Sequence, residues 1–524
     1  MQSHVSAGEY GFVFLEDKVD IVIQNTSNGE QSCSVNNIRL HSLYNPSKEA
    51  SRFIESSVCP FNPKYVLITE PALSYCVKPL KEKFPQARLC CVRFTPVFNQ
   101  WNKIWDKVFN AYNITEESSV NKNLSEEIFS YMGEEGVSQC FFISWNASEK
   151  AFENFHQFTW NEIKKAVLKS QSVLATRNYF AKRWTKNALR FSLFTEKIAA
   201  VSKGKCDIVI CASGPSLLSS IDNIKKFRDS FFLIAVSSAL RPLVACGIYP
   251  DLCISTDGGY WAKKHISFAL NGNAVPLALS GESGCFASLL ADHNVVPLLY
   301  GDGTSEDILK STIGKGLPAR RNGSVSGTAA ELALSLTSGD VYFCGLDLSF
   351  SKGHVHMQPN ELEINDAIHD TRTRTMETRI SSQSINKASI DIYRSWFSTT
   401  DFKGRLYRLS NRYKYDSTLG SIKDVDWIFF ESRNRESHKQ EKPEFTYSER
   451  DINPKKDTER LVELCKNNIT KKNWIKEAVP SEYVVLERTT GTPAEEKSQR
   501  IVSEGMKDFL NDILRAIHRG YIPV

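Results

Sequence analysis

Ser213-Gly214-Pro215-Ser216-Leu217 ends an apolar run at 206–211 and opens a stretch with Leu217, Leu218, Ile221 and Ile224 at helical spacing. A strand, a tight turn and a helix start, in that order, aim unpaired backbone N–H groups at the end of a sheet, where an anion can sit. Gly214 allows a ligand close to the backbone, and Pro215 sets the φ of the turn. An ordinary strand-to-helix turn has the same local pattern. The later strand-like runs also end in small polar or acidic residues: Ser237, Asp257, Ser280 with Gly281, and Asp347. Asn322-Gly323-Ser324-Val325-Ser326-Gly327-Thr328 leads into a helical pattern over 329–336. In an open parallel sheet, ligands bind outside the carboxyl ends of the strands. Polar endings on four or five strands in series therefore point to one shared site. The loop after Asp347 carries His354 and His356 and would lie over that edge.

The elements that must hold these residues follow from periodicity. Strand-like runs at 206–211, 231–238, 252–257, 275–281, 295–300 and 340–347 alternate with helical patterns, which predicts a Rossmann-like parallel sheet over 201–400. Upstream, residues 1–157 predict a separate α/β domain. It has strand-like runs at 12–15, 19–23, 65–69, 87–94 and 139–144, a helix carrying Leu73, Val77, Leu80 and Phe84, and aromatic-rich helices around 98–112. No Gly-x-Gly-x-x-Gly occurs there, so no dinucleotide is implied. Residues 158–200 read as a basic helical connector. Residues 361–385 are polar and charged and read as a loop or lid, and 431–460 as a linker. Residues 401–524 are expected to be mainly helical, ending in an amphipathic stretch marked by Val502, Met506, Phe509, Ile513 and Ile517. That stretch can dock on the body of the protein or serve a partner.

Bulk properties narrow the class. With 524 residues the chain exceeds a single core. A hydrophobic content of 41% with 24% charged residues is globular. A net charge of +5 is too small for general nucleic-acid binding. The 13 cysteines are odd in number, lack CxxC spacing and often fall inside apolar runs, which argues against a disulfide framework or a zinc site. The first residues have neither a basic region nor a long apolar run, and no stretch is long enough to span a membrane, so a cytoplasmic protein is expected. The N-x-S/T triplets at Asn113, Asn123, Asn146 and Asn322 are then chance occurrences.

Taken in order, three segments resemble a known family: Ser213–Leu217; Ala239-Leu240-Arg241-Pro242-Leu243 leading to Gly247-Ile248-Tyr249-Pro250-Asp251 and Asp257; and Asn322–Ala329 with Gly345-Leu346-Asp347 and Gly353…His356. Over roughly residues 200–400 the chain resembles the bacterial motility-associated factor (Maf) flagellin glycosyltransferases, which have a sialyltransferase-like central domain. The chain departs from the family pattern in Asn322 for a glycine, in Leu346 for a glutamine, and in Gly353-His354-Val355-His356, where a second imidazole is added. The resemblance implies transfer of a nonulosonic (sialic-acid-like) sugar, such as pseudaminic or legionaminic acid, from its CMP-activated form to Ser or Thr of flagellin.

On that resemblance, His356 is the first candidate for general base, with Asp257 its rival and His354 a third possibility. Donor and nucleotide contacts fall to Ser213, Gly214, Pro215, Ser216, Ser237, Ser280, Gly281, Gly323, Ser324, Ser326 and Asp347. Arg320 and Arg321 are candidates for the sugar carboxylate. No metal and no cofactor beyond the CMP-sugar are expected. A related branch, the archaeal hydroxymethyldihydropterin pyrophosphokinases, shares the Gly-Pro-Ser and Pro-Asp features. A magnesium/ATP-dependent pyrophosphokinase on a pterin-like alcohol is therefore the alternative, and a non-catalytic flagellin-binding adaptor a third. Oligomeric state is not readable from the sequence.

Overall fold

The computed structural model of the chain describes residues 21–114, 120–121, 123–267, 275–349, 354–378, 384–410, 419–434 and 441–518. The expected strand at 12–15, the start of the one at 19–23 and Gly353 lie outside these residues. The chain forms two compact units, Met1–Tyr179 with Val479–Gly505, and Phe180–Ala478 with Met506–Val524. The helices Glu153–Phe194 and Glu495–His518 each run from one unit into the other.

The first unit holds a three-stranded antiparallel sheet, β1 (Ile21–Asn25), β2 (Gln31–Val35) and β3 (Ile38–Arg39). It also holds a four-stranded parallel sheet in the order β6-β5-β4-β7, from β4 (Tyr65–Thr69), β5 (Arg88–Arg93), β6 (Lys107–Asn110) and β7 (Cys140–Ser144). The aromatic stretch near 98–112 differs from expectation, forming a 3-10 turn at Pro96–Ile104 and then strand β6. Leu73 is also outside the predicted helix, which starts at Val77. Leu73 lies instead in a turn where Glu70, Ala72 and Ser74 take positive φ of 35°, 44° and 65°. Buried Arg93 pins this turn by donating to the Glu70 carboxylate (3.0 Å), the Ala72 carbonyl (2.8 Å) and the Ser74 hydroxyl (2.9 Å). Multiple donors from one guanidinium offset the strain of three left-handed residues.

The second unit is built on one large sheet. Its strands in chain order are β8 (Lys197–Val201), β9 (Ile208–Cys211), β10 (Phe232–Val236), β11 (Leu252–Ser255), β12 (Leu277–Ser280), β13 (Val295–Leu299), β14 (Leu317–Pro318), β15 (Val341–Cys344), β16 (Leu406–Leu409), β17 (Lys423–Val425) and β18 (Phe445–Glu449). The spatial order is β17-β16-β15-β9-β10-β11-β12-β13-β8-β18, with β14 on β13. All pairs are parallel except β18 with β8. The predicted Rossmann-like parallel α/β sheet is therefore present. Strands β9 to β12, β15 and β16 are buried along their whole length, as strands covered by helices on both faces must be. The segment read as a linker contributes β18, whose antiparallel pairing closes an exposed edge. Among the described residues no helix is long and apolar enough to cross a membrane.

From β9 the chain steps one way through β10 to β13, then returns to place β15 on the other side of β9. The crevice beyond β9 and β15 is thus the topological switch point. Here two turns touch. The Ala212 N–H donates to the Cys344 carbonyl (2.8 Å) and the Gly214 N–H to the Gly345 carbonyl (2.9 Å). Gly345 has φ +71°, and a Cβ on it would lie 2.9 Å from Leu217 Cβ. A Cβ on Gly214 would run into the Gly345 carbonyl and lie 2.7 Å from Asp347 Cγ. Gly323, by contrast, has open space, with Tyr393 Cε1 at 3.7 Å the nearest atom.

Gly214→Ala and Gly345→Ala are each expected to destabilise the protein by about 2–4 kcal/mol, and Gly323→Ala by under ~0.5 kcal/mol. Urea unfolding monitored by tryptophan fluorescence checks this. Equal effects at the three positions would contradict the close-approach account.

Candidate active site

The Ser213–Leu217 turn is engaged inward. The Ser216 N–H donates to Asp347 Oδ2 (2.8 Å), the Ser216 hydroxyl to Asp347 Oδ1, and the Leu217 N–H to the Gly214 carbonyl (3.0 Å). Pro215 has no N–H. The turn does not offer the open anion nest that its sequence predicts, because buried Asp347 already fills it. Its outward links are through Ser213. The Ser213 carbonyl accepts from the Met357 N–H (2.7 Å), and its hydroxyl accepts from Ser238 (2.8 Å). Ser237, beside Ser238, is buried at the start of the helix Ser237–Ala245.

The chain of contacts continues to the histidines. Buried Asn360 donates from Nδ2 to the Ser238 carbonyl (3.2 Å) and caps the helix Glu361–Ile368 by accepting from the Leu362 N–H (3.1 Å). That helix takes up the first eight residues of the stretch 361–385 read as a loop or lid. An Asn cap followed by glutamates in the first turn suits the positive end of a helix dipole. Glu363 Oε1 accepts from the Val355 and His356 N–H groups, both at 2.7 Å. Its Oε2 meets His354 Nδ1 (2.6 Å) and Gln358 Nε2 (2.5 Å). His356 Nδ1 lies 3.3 Å from Glu363 Oε1, within ion-pair range but short of hydrogen-bond alignment. Burial would raise the Glu363 carboxyl, but contacts from His356 and His354 outweigh it, and the net shift is downward. An imidazole whose Nδ1 faces a carboxylate keeps its other nitrogen for accepting a proton. Next to it, Glu361 holds His265 Nδ1 (3.0 Å) and Arg241 (3.3 Å), and the His265 and His356 ring centres are 6.4 Å apart.

Asp257 is exposed at the end of β11. Its Oδ1 accepts from the Gly259 N–H (2.8 Å). The phenol of Tyr393, on the helix Ser384–Thr399, is raised by burial and then by the charge of Asp257. Tyr393 also borders Gly323, and Arg394 from the same helix donates to the Leu348 carbonyl (2.7 Å). Ser324 caps the helix Val325–Leu336 by accepting from the Gly327 N–H (3.0 Å). This leaves the Val325 and Ser326 N–H groups of the first turn without a hydrogen-bond partner among the described residues. Those two groups, not the Ser213 turn, offer an anion open donors.

Ser280 and Gly281 are placed differently. Ser280 is fully buried against the Ser283 hydroxyl (3.0 Å), and a Cβ on Gly281 would meet Leu309 Cδ1 at 2.7 Å. Gly281 serves packing between β12 and the helix Thr304–Thr312, and Ser280 is hydrogen-bonded within the interior. Arg321 is bound to Glu282 (2.8 Å), Asp302 (3.3 Å) and Glu477 (3.1 Å) and stacks on Tyr300 at 5.0 Å. Its donors are committed to three carboxylates. Arg320 is exposed, with Glu331 3.7 Å away. Among the described residues no three His, Cys, Asp or Glu side chains are grouped as metal ligands.

The structure therefore gathers Ser213, Gly214, Ser216, Asp347 and His356 at the switch point, and Asp257 and Gly323 around Tyr393. Glu363, Glu361, His265 and Tyr393 carried no signal that the sequence reading used. Asn360 followed by two glutamates is a helix-start pattern that would have located the first two.

Residues 182–353 match the family described as MptE-like, 6-hydroxymethylpterin diphosphokinase MptE-like. Two uncharacterized proteins of Treponema pallidum (strain Nichols) are similar in sequence. One is 31% identical over 277 residues, covering 53% of this chain and 61% of that protein. The other is 30% identical over 145 residues, covering 25% of this chain and 66% of that protein. The chain thus spans less than two thirds of either relative's length. Among solved structures, a Maf glycosyltransferase from Magnetospirillum magneticum AMB-1 aligns over 97% of this chain and 91% of its own, at 12% identity and a TM-score of 0.47.

Glu363→Gln is expected to destabilise the protein by about 1–2 kcal/mol at pH 7, because the two imidazoles lose their carboxylate. A folded-state pKa below 4.5 contributes stability that is present above pH 4.5 and lost as pH falls through the folded value. The difference from wild type should therefore narrow in thermal melts below pH 4.5. A gap that persists at pH 3 would show that the charge is not its source.

Proposed function

We propose that the chain is a glycosyltransferase that moves a nonulosonic acid from its CMP-activated donor to a serine or threonine hydroxyl of flagellin. The observation that carries this reading is the His356–Glu363 pair, tied through Asn360, Ser238 and Ser213 to the switch-point turn. A base oriented by a carboxylate is what an acceptor hydroxyl needs. The ordered motif set of the Maf family over roughly 200–400 supplies the donor class.

In the proposed reaction the acceptor oxygen bonds to the anomeric carbon of the sugar as the bond from that carbon to the phosphate oxygen breaks. The hydroxyl proton passes to His356, and CMP leaves with the bonding pair. The open N–H groups of Val325 and Ser326 would offset the charge gathering on the leaving phosphate. Asp257, exposed near Tyr393, is the rival base or reads a sugar hydroxyl.

A second reading, a diphosphokinase acting on a pterin-like alcohol, is favoured by the family match over 182–353. It uses the same base on a different hydroxyl and needs magnesium with ATP.

Flagellin incubated with the protein and CMP-nonulosonic acids should gain the mass of one or more sugars. His356→Ala should cut the rate by about 10²–10⁴-fold, and Asp257→Ala by less. Production of AMP from ATP with magnesium and a pterin alcohol, with no mass gain on flagellin, would favour the second reading.

A further inference from the structure

His265 lies beside the proposed base and has no role in the reaction as written. It sits on the short helix Tyr260–Ile266, which begins just after Asp257 and Gly258 with Gly259 as its cap. The residue is buried, and its ring centre is 6.4 Å from that of His356. Its Nδ1 is 3.0 Å from Glu361 Oε2. A carboxylate only accepts, so Nδ1 carries the hydrogen. The other oxygen, Oε1, accepts from Arg241 at 3.3 Å. Each oxygen of Glu361 has its own donor, and turning the carboxylate to favour one would lose the other.

The two donors come from different helices, Ser237–Ala245 for Arg241 and Tyr260–Ile266 for His265. Glu361 is the first residue of the helix Glu361–Ile368. Asn360, just before it, is fully buried and donates to the Ser238 carbonyl (3.2 Å). The start of this helix is thus held on Ser238, Arg241 and His265. In the same first turn, Glu363 accepts from the Val355 and His356 N–H groups, both at 2.7 Å, and faces His356 Nδ1. One turn of helix has fixed internal geometry, so what holds Glu361 also holds Glu363.

We infer that His265 is a positioning residue: through Glu361 it keeps the first turn of the helix Glu361–Ile368 where Glu363 can orient His356. Its part in the reaction rests on reading His356 as the base. The same link ties the loop of His356 to the helix that follows Asp257. A buried polar network specifies one geometry only while its members are satisfied, and misplacing a reacting group by an ångström can cost about 10²-fold in rate.

Hydrogen exchange and steady-state kinetics on the full chain test it. His265→Ala removes the donor. His265→Asn can supply a side-chain N–H in place of Nδ1–H, and His265→Gln fills the space but places its amide nearer the Nε2 position. Amide exchange over 354–368, which includes the two N–H groups on Glu363, should quicken at least about tenfold in His265→Ala and His265→Gln and stay near wild type in His265→Asn. Exchange over 232–236 should be unchanged in all three, since the sheet does not depend on this contact. In sugar transfer, His265→Ala should lower kcat about 10–100-fold with the donor KM unchanged, and His265→Asn should recover most of that loss. In a His356→Ala background, His265→Ala should have no further effect, because it acts through His356. Unchanged exchange over 354–368 in both His265→Ala and His265→Gln overturns the proposal. A further loss of rate in the His356→Ala background also overturns it, since His265 would then meet the substrate itself. Faster exchange in His265→Ala with no sugar transfer by wild type would leave the positioning contact standing and remove the transferase reading. Sugar transfer that is unaffected in His265→Ala would do the reverse.

Discussion

The close approach of Gly214 to Gly345 is the constraint on which the site depends. Two backbones meet at the switch point with no side chain between them, and Gly345 takes a φ of +71° to do so. The approach brings the Asp347 carboxylate onto Ser216, and the turn is then filled from within. With its inner donors spent, the turn acts as a fixed support. Ser213 reaches from it to Met357 and Ser238, and Ser238 reaches Asn360. A contact between glycines of two touching turns is thereby linked to the imidazoles of the loop that follows Asp347.

Charge divides the polar groups along this edge into closed sets and open ones. Glu363 collects the ring contacts of two histidines as well as backbone donors, and Arg321 collects three carboxylates. Such closed sets position their members and leave little to bind a ligand. The first turn of the helix Val325–Leu336 is an open set, with the Val325 and Ser326 N–H groups meeting no acceptor among the described residues.

Much of the framework was legible in the sequence because β and helical periodicities report burial directly. The parallel strands β9 to β13 and β15 fall within or next to their apolar runs, and each polar ending lies at a carboxyl end, whereas β14 had no run of its own. Legibility failed where partners distant in sequence decide the outcome. The stretch 361–368 reads as a polar loop because its glutamates face histidines rather than water. Residues 445–449 read as linker because a strand that closes an edge needs only one neighbour and little apolar content. Leu73 reads as the start of a helix because nothing local announces the Arg93 that holds the turn from Glu70 to Ser74.

By itself the sequence determined the strand-and-helix alternation, the glycines that two touching turns require, and the set of polar strand ends from which a site could be drawn. Those features depend on nearest neighbours and on each residue's own backbone freedom. Tertiary structure alone decided which members of that set face outward. It turned the Ser213 turn inward onto Asp347, buried Ser280 and Gly281 in packing, and set Arg321 against three carboxylates. Whether a polar group is satisfied or available depends on what the rest of the chain places within about 3–4 Å of it, and that distance is set only when the sheet closes.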